Sequence, residues 1–277
     1  MNEDWFIANA NDGVYAANTW DEFNLTQTLA ATPGGVANLT SILQAHQDSW
    51  ITDADIDTMK AQGINMLRIP MPFWALIPTV TGEPYLNNTA LYQASLTRII
   101  AKAHSVGIYS VLDLHGLPGS QNGEESSGHN TTSPAWFGNT VNQARSDATV
   151  AAVLAYVAAS PYRSSIAGLE IINEPRPYGD TQVAELEDYY SRSYATVQAS
   201  AYPIPVFIHG AFVTNPLTYW WDFVAARATT PPSLIFEDHP YPGNFPPQNG
   251  TADILLQVCN DAKNYLEFPV PICITEW

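Results

Sequence analysis

Two glutamates carry the chemistry open to this sequence. Glu174 sits in Asn173-Glu174-Pro175, directly after the apolar run 168–172, and Glu276 closes a second apolar run, 270–275. Each carboxylate is expected at the C-terminal end of a buried strand. Glycoside hydrolysis by double displacement requires such a pair. One carboxylic acid protonates the leaving oxygen, and the other, as a carboxylate, attacks the anomeric carbon. Three further strand–helix units separate the two residues, which places them on opposite sides of a barrel mouth.

The elements that must hold them follow from hydrophobic patterning. Short apolar runs rich in β-branched residues predict strands over 64–70, 108–114, 168–173, 205–210, 234–239 and 270–276. Continuous apolar runs of this length suit parallel strands covered on both faces. Helical patterns fill the intervals, over 52–62, 90–105, 139–159, 181–201, 215–226 and 251–266. Strands alternating with helices mean βα units. Polar residues recur at the strand ends: Arg68, Asp113 and His115, Asn173 and Glu174, His209, His239 and Tyr241, and Glu276. That recurrence is the pattern of a (β/α)8 TIM barrel, whose sites lie at the C-terminal face of the strands.

The strand count is short by one or two. A further strand is read over residues 5–8, while an eighth strand and last helix are missing. The expectation is one catalytic barrel domain over 1–277, incomplete at its C-terminal side. Either a longer protein or a partner segment from another polypeptide would complete it. The long loops 76–88, 116–135 and 241–250 are expected to form substrate walls.

Composition narrows the partners. The 277 residues are 46% hydrophobic and 12% aromatic, enough for a sizeable core. A net charge of −17 with only 10 Lys and Arg argues against nucleic acid and anionic membranes. No run is long and apolar enough to span a bilayer. A neutral glycan suits such a surface. No signal peptide is visible at the N-terminus. Sequons begin at Asn24, Asn38, Asn87, Asn130 and Asn249, so a secreted, N-glycosylated protein whose leader was removed or replaced is expected. Cys259 and Cys273 leave three options open: a mutual disulfide, free core thiols, or pairing with a cysteine outside this chain. Six histidines show no metal-ligand spacing, so neither metal nor cofactor is expected.

Asn173-Glu174-Pro175 with Glu276, the Leu67-Arg68-Ile69-Pro70 strand end and Asp113-Leu114-His115-Gly116 together resemble glycoside hydrolase family 5. The run 114–123 is similar to the fungal exo-β-1,3-glucanase branch, as is Trp50-Ile51-Thr52-Asp53 leading to Arg68. The resemblance covers roughly 50–277. It implies Glu174 as acid/base and Glu276 as nucleophile, the latter held by Arg68 and Tyr241. It further implies Asn173 on the sugar 2-hydroxyl, and His115 and His239 as sugar-binding residues. His209 stays open between substrate contact and structure. Phe73, Trp74, Trp136 and Phe245 could stack on sugar rings, although packing under a long loop is the better account of any single one. Trp277 is expected beside the core.

Departures from the family pattern bear on specificity. Glu124 stands where the branch has an aromatic residue after Gln-Asn-Gly. The carboxylate that should touch the terminal sugar has only Glu3 and Glu22 as candidates, and the tryptophan platform of the eighth strand is absent with that strand. The expected function is a secreted retaining β-glycosidase acting on β-glucans, with β-1,3-linked glucan and exo action favoured. One alternative is a β-glucosidase or transglycosidase acting on glycoconjugates or disaccharide glycosides. Another, of a different class, is a non-catalytic glycan-binding or partner-dependent barrel fragment.

Overall fold

A computed structural model describes residues 21–242 and 250–277. Six parallel strands pair in strict chain order: β1 (Met66–Pro72), β2 (Tyr109–Gly116), β3 (Ile166–Glu170), β4 (Val206–His209), β5 (Leu234–Asp238) and β6 (Ile272–Ile274). Helices lie between successive strands, as parallel crossovers require. The architecture is an incomplete (β/α)8 barrel. Among the described residues β1 and β6 each pair on one side only. The strand read over 5–8 lies outside the described residues.

Three helices precede β1: α1 (Glu22–Ala30), α2 (Gly35–Ser49) and α3 (Asp53–Ala61). α3 starts on a capping box, with Thr52 Oγ1 accepting from the Asp55 N–H and the Asp55 carboxylate accepting from the Thr52 N–H. The sequence expectation omits α1 and α2, whose Thr- and Asn-rich stretches mask the helical period. The readable signal was Asp21, whose carboxylate caps the Asn24 N–H at 2.7 Å. α4 (Thr89–Ser105), α5 (Thr140–Ala159) and α6 (Asp180–Gln198) follow the next strands close to their expected bounds.

The helix expected over 215–226 is split into α7 (Pro216–Tyr219) and α8 (Trp221–Ala225). Trp220 breaks it: its backbone leaves the helical region while its buried indole N–H donates to the Gly210 carbonyl at 3.1 Å. The last helix, α9 (Thr251–Leu266), matches its expected bounds, but Leu255, Leu256, Val258 and Leu266 on it are exposed. Trp277 is also exposed, at 81%, and not beside the core as expected. Cys259 and Cys273 are free thiols.

The main core lies between the strands and α4–α6, where Leu112, Leu169, Ile171, Val206 and Phe236 meet Val153, Val157, Leu186 and Val197. Two tyrosines of α6 connect that core to the site. Tyr189 donates to the Ile171 carbonyl at 2.9 Å and Tyr190 to the His209 carbonyl at 2.8 Å. Both rings are fully buried. Each is worth about 1.5–3 kcal/mol of apolar burial and fixes the backbone just where β3 and β4 deliver their functional residues. Register does the rest. In a parallel ladder, paired residues share a face, so Asp113 beside Glu170 and, one level nearer the strand ends, His209 beside Glu237 lie on the same face of the sheet.

Candidate active site

The C-terminal face of the sheet gathers a layer of charge around Arg68. Its Nε and Nη2 donate to Glu170 at 2.6 and 2.8 Å, and Nη2 also reaches Asn173 Oδ1 at 2.7 Å and Asp113 at 3.1 Å. Its Nη1 donates to Glu276 Oε1 at 2.7 Å. Glu237 lies 3.5 Å from Nη2. Asp113, Glu170 and Glu237 are fully buried. Burial pushes the Glu170 carboxyl well above the usual range, reinforced by Asp113 and Glu237 and opposed by Arg68. For Asp113 burial works the same way, but Arg68 and His115 outweigh it and hold that carboxyl below its ordinary value.

A second set of contacts fixes Glu174 and Glu276. His239 Nδ1 lies 2.8 Å from Glu174 Oε1 and 3.8 Å from Glu276 Oε2. Those two oxygens can be no farther apart than these distances laid end to end. A bound of that size admits the short separation of retaining pairs, about 5–5.5 Å between carboxyl groups, and reaches only the lower edge of the roughly 6.5–9.5 Å of inverting ones. The other ring nitrogen of His239 faces Glu237 Oε1 at 2.9 Å and Thr275 Oγ1 at 2.8 Å. Burial alone would lower its pKa. The bonds to Glu174 and Glu237, with the Glu276 charge, overcome that and raise it to about 9. His239 is therefore an imidazolium at neutral pH and donates from both nitrogens.

Glu276 takes a further hydrogen bond from the Tyr241 hydroxyl. Its burial favours the neutral acid, but the His239 charge, the Tyr241 bond and Arg68 prevail, and its pKa falls below the ordinary value. A depressed pKa keeps the carboxylate ionised, as a nucleophile requires. The backbone of Glu174 has φ 42° and that of Tyr241 φ 37°, a left-handed conformation uncommon for such residues. Non-glycine residues held there cluster at functional sites.

His115 and Asn173 complete the floor. His115 Nδ1 lies 2.7 Å from Asp113, and its Nε2 lies 3.4 Å from the Asn173 amide nitrogen. Asn173 accepts from Arg68 through its carbonyl oxygen, so its NH2 is the group left to face a ligand or His115. Gln121 ties the layer together by donating to the carbonyls of His115 and Asn173, both at 2.9 Å. All seven residues singled out in the sequence, Arg68, His115, Asn173, Glu174, His239, Tyr241 and Glu276, thus share one connected cluster.

Other candidates fall elsewhere. Trp74 and Trp136 are fully buried, and Phe73 is 1% exposed. Trp74 stacks on Tyr85 at 3.6 Å and Trp136 donates to Ser146, so these rings pack under loops rather than face a ligand. Glu22 accepts from Trp74 Nε1 and the Tyr92 hydroxyl, at 2.9 and 2.6 Å, in a buried site, and is not available to a terminal sugar. Glu3 and Phe245 lie outside the described residues. His209 is buried, and burial drives its pKa well below the usual value, so it is neutral. Its Nδ1 accepts from the Ala211 N–H at 2.9 Å.

Glu174, His209 and His239 bring ligand-type atoms within 4.8 Å of one another. His239 Nε2 is engaged by Glu237 and Thr275 and its Nδ1 by Glu174 itself, while His209 Nδ1 takes the Ala211 N–H, so the group is held together by its own hydrogen bonds. The sequence reading missed Glu170, Glu237 and Thr275. A charged residue inside a buried strand, as in Leu169-Glu170-Ile171 and Phe236-Glu237-Asp238, was the available signal, since such groups stay buried only when paired.

The family model for cellulase, glycosyl hydrolase family 5, matches residues 27–277. The chain belongs to glycosyl hydrolase family 5. A probable glucan 1,3-beta-glucosidase A of Aspergillus niger is 30% identical over 241 residues, covering 87% of this chain and 53% of that protein. Glucan 1,3-beta-glucosidase 1 of Schizosaccharomyces pombe is 32% identical over 225 residues, covering 80% and 50%. The chain thus spans about half the length of these relatives. The crystal structure of rutinosidase from Aspergillus niger superposes with a TM-score of 0.74 at 20% identity, covering 99% of this chain and 84% of that one, and shares the fold.

Proposed function

We propose that this family 5 chain carries the catalytic centre of a retaining β-glycosidase. Glu276, ionised, attacks the anomeric carbon while Glu174 gives its proton to the departing oxygen, leaving a glycosyl ester on Glu276. Glu174, now a carboxylate, takes a proton from water. The resulting nucleophile breaks the ester and returns Glu276 to the ionised state. The observation that carries this reading is His239 Nδ1, which approaches both Glu174 and Glu276 and so fixes their close spacing. Arg68 and Tyr241 hold the nucleophile, and the Asn173 amide binds the sugar 2-hydroxyl. His115 binds the sugar from the next strand end.

The substrate favoured is a β-glucan, with β-1,3 linkage and exo action supported by what its relatives are called. A second reading, a β-glucosidase or transglycosidase acting on disaccharide glycosides or glycoconjugates, is favoured by Glu124 at the cleft edge where the resemblance leads to an aromatic wall. One hydrophobic cluster runs from Leu25 to Val270 and supports a single catalytic domain. Exposed Asn38, Asn87 and Asn130 support glycosylation and secretion, and no helix among the described residues is long and apolar enough to cross a membrane.

The test is glucose release from laminarin and from an aryl β-glucoside by the wild type, Glu174→Gln and Glu276→Gln. Turnover that drops at least a thousandfold in Glu276→Gln supports the proposal. Turnover unchanged in either variant contradicts it.

A further inference from the structure

Thr275 stands directly before Glu276, just past the end of β6. Its backbone continues the ladder loosely, with its N–H donating to the Asp238 carbonyl at 3.4 Å. Its side chain has closer partners. The hydroxyl donates to Glu237 Oε1, and its oxygen lies 2.8 Å from His239 Nε2. That ring nitrogen lies 2.9 Å from the same Glu237 oxygen. Three polar atoms at the ends of the paired strands β5 and β6 thus close a triangle, each within hydrogen-bonding reach of the other two.

The protons available fix the direction of each bond. The buried Glu237 carboxylate accepts, so the one hydroxyl proton of Thr275 goes to it. The hydroxyl oxygen then turns a lone pair toward His239. The Nε2–H of the imidazolium is shared between Glu237 and Thr275, which leaves Nδ1–H for Glu174 Oε1 at 2.8 Å. Among the described residues, Glu174 and Glu237 are the other hydrogen-bond partners of the ring, with Glu276, neutral His209 and Tyr241 packed around it. The peptide of Thr275 leads directly into Glu276, whose Oε2 lies 3.8 Å from the same Nδ1. One hydroxyl therefore ties the backbone at the nucleophile to the ring that holds the acid/base. Packing alone does not call for it, since Val has the same branched shape and no hydroxyl to place.

We propose that Thr275 is a positioning residue that sets the separation of Glu174 and Glu276, by anchoring both the backbone before the nucleophile and the His239 ring to one oxygen of Glu237. This deepens the glycosidase proposal and rests on it. In the first step the acid must reach the glycosidic oxygen while the nucleophile reaches the anomeric carbon, and a small displacement of either slows the reaction steeply. Thr275 touches no substrate in this account. Asn173 and His115, which bind the sugar, keep their own partners without it. Its loss is therefore felt in kcat and not in KM.

Thr275→Val deletes the hydroxyl and keeps the shape, while Thr275→Ser keeps the hydroxyl. Both are assayed on an aryl β-glucoside, with kcat expressed per folded molecule from near-ultraviolet circular dichroism. The expected result is a kcat about 10–100-fold lower in Thr275→Val, with KM within about twofold of wild type and kcat in Thr275→Ser restored to within about threefold. A wild-type kcat in Thr275→Val, or an equal fall in Thr275→Ser, overturns the assignment. If Thr275→Val does not fold, Thr275→Ala takes its place with the same outcomes. If the wild type shows no turnover, the glycosidase proposal fails instead. The anchor is then judged by NMR titration of the His239 ring. The hydroxyl accepts from the charged ring and so favours it; a midpoint lower by about half a unit in Thr275→Val and unchanged in Thr275→Ser upholds the anchor. An unchanged midpoint in Thr275→Val overturns it.

Discussion

Arg68 Nη1 donates to Glu276 Oε1 at 2.7 Å, joining the first strand of the described sheet to the residue just beyond the last. The same guanidinium serves three fully buried carboxylates. Removing a cation from such a layer leaves buried charge without compensation, which costs about 3–5 kcal/mol. Arg68→Met is expected to lower stability by that amount in urea unfolding and to abolish turnover. Full stability in that variant would mean that the carboxylates are compensated some other way.

The raised pKa of His239 sets a pH window. Its folded value of about 9 exceeds the ordinary 6.5, so its stabilising contribution is fully present below 6.5 and is lost as pH rises through 9. The shift corresponds to at most about 3 kcal/mol. Glu276 has the opposite sign. Its depressed pKa gives stability that is present above the ordinary 4.5 and is lost as pH falls through its lower folded value. Unfolding midpoints should therefore be highest near pH 5–6.5 and decline on either side. A midpoint that rises steadily from pH 6.5 to 9 would contradict the imidazolium.

Glu237 acts through His239. It is buried, and it bonds the ring nitrogen opposite the one facing Glu174. Glu237→Gln removes a charge that holds His239 protonated. The titration of the His239 ring, followed by NMR, should move to lower pH by about one unit, while KM for a small glucoside changes little. A titration identical to the wild type would show that Glu237 does not govern His239.

Glu174→Ala should separate the two chemical steps. An aryl glucoside with a good leaving group needs little proton donation, so glycosylation of Glu276 should survive and hydrolysis should slow by about 10²–10⁴-fold. Added azide, which needs no general base, should restore turnover and yield the β-glucosyl azide. Formation of the α-anomer would instead mark Glu174 as the nucleophile.

Trp74 tests the packing assignment. Its indole N–H donates to buried Glu22 at 2.9 Å, and Tyr92 supplies the only other hydrogen bond described for that carboxylate. Trp74→Phe should cost about 1–3 kcal/mol of stability and leave KM for glucosides unaltered. A raised KM without loss of stability would return Trp74 to the sugar.

Much of this was legible in the chain. The six strands and the helices after Thr52 could be read because continuous apolar runs and helical periods alternate cleanly there. The residues of the candidate site could be picked out because strand ends carry Arg68, His115, Asn173, Glu174, His239 and Glu276 in a recognisable order. What escaped was set by tertiary contact. Trp220 splits a helix only because its indole finds the Gly210 carbonyl, and Glu237 matters only because β5 places it beneath His239. Thr275 meets Glu237 and His239 across neighbouring strands, and no local pattern reports such a meeting.

The central claim is that Glu276 forms a covalent bond to the sugar. It is tested most directly by incubating the protein with 2-deoxy-2-fluoro-β-glucosyl fluoride, digesting it and locating the adduct by tandem mass spectrometry. The fluorine at C2 slows the second step and lets the ester accumulate. The account predicts one fluoroglucosyl group on Glu276 and none in Glu276→Gln. An adduct on Glu174 or any other carboxylate, or turnover of glucosyl fluoride with no adduct formed, would contradict it.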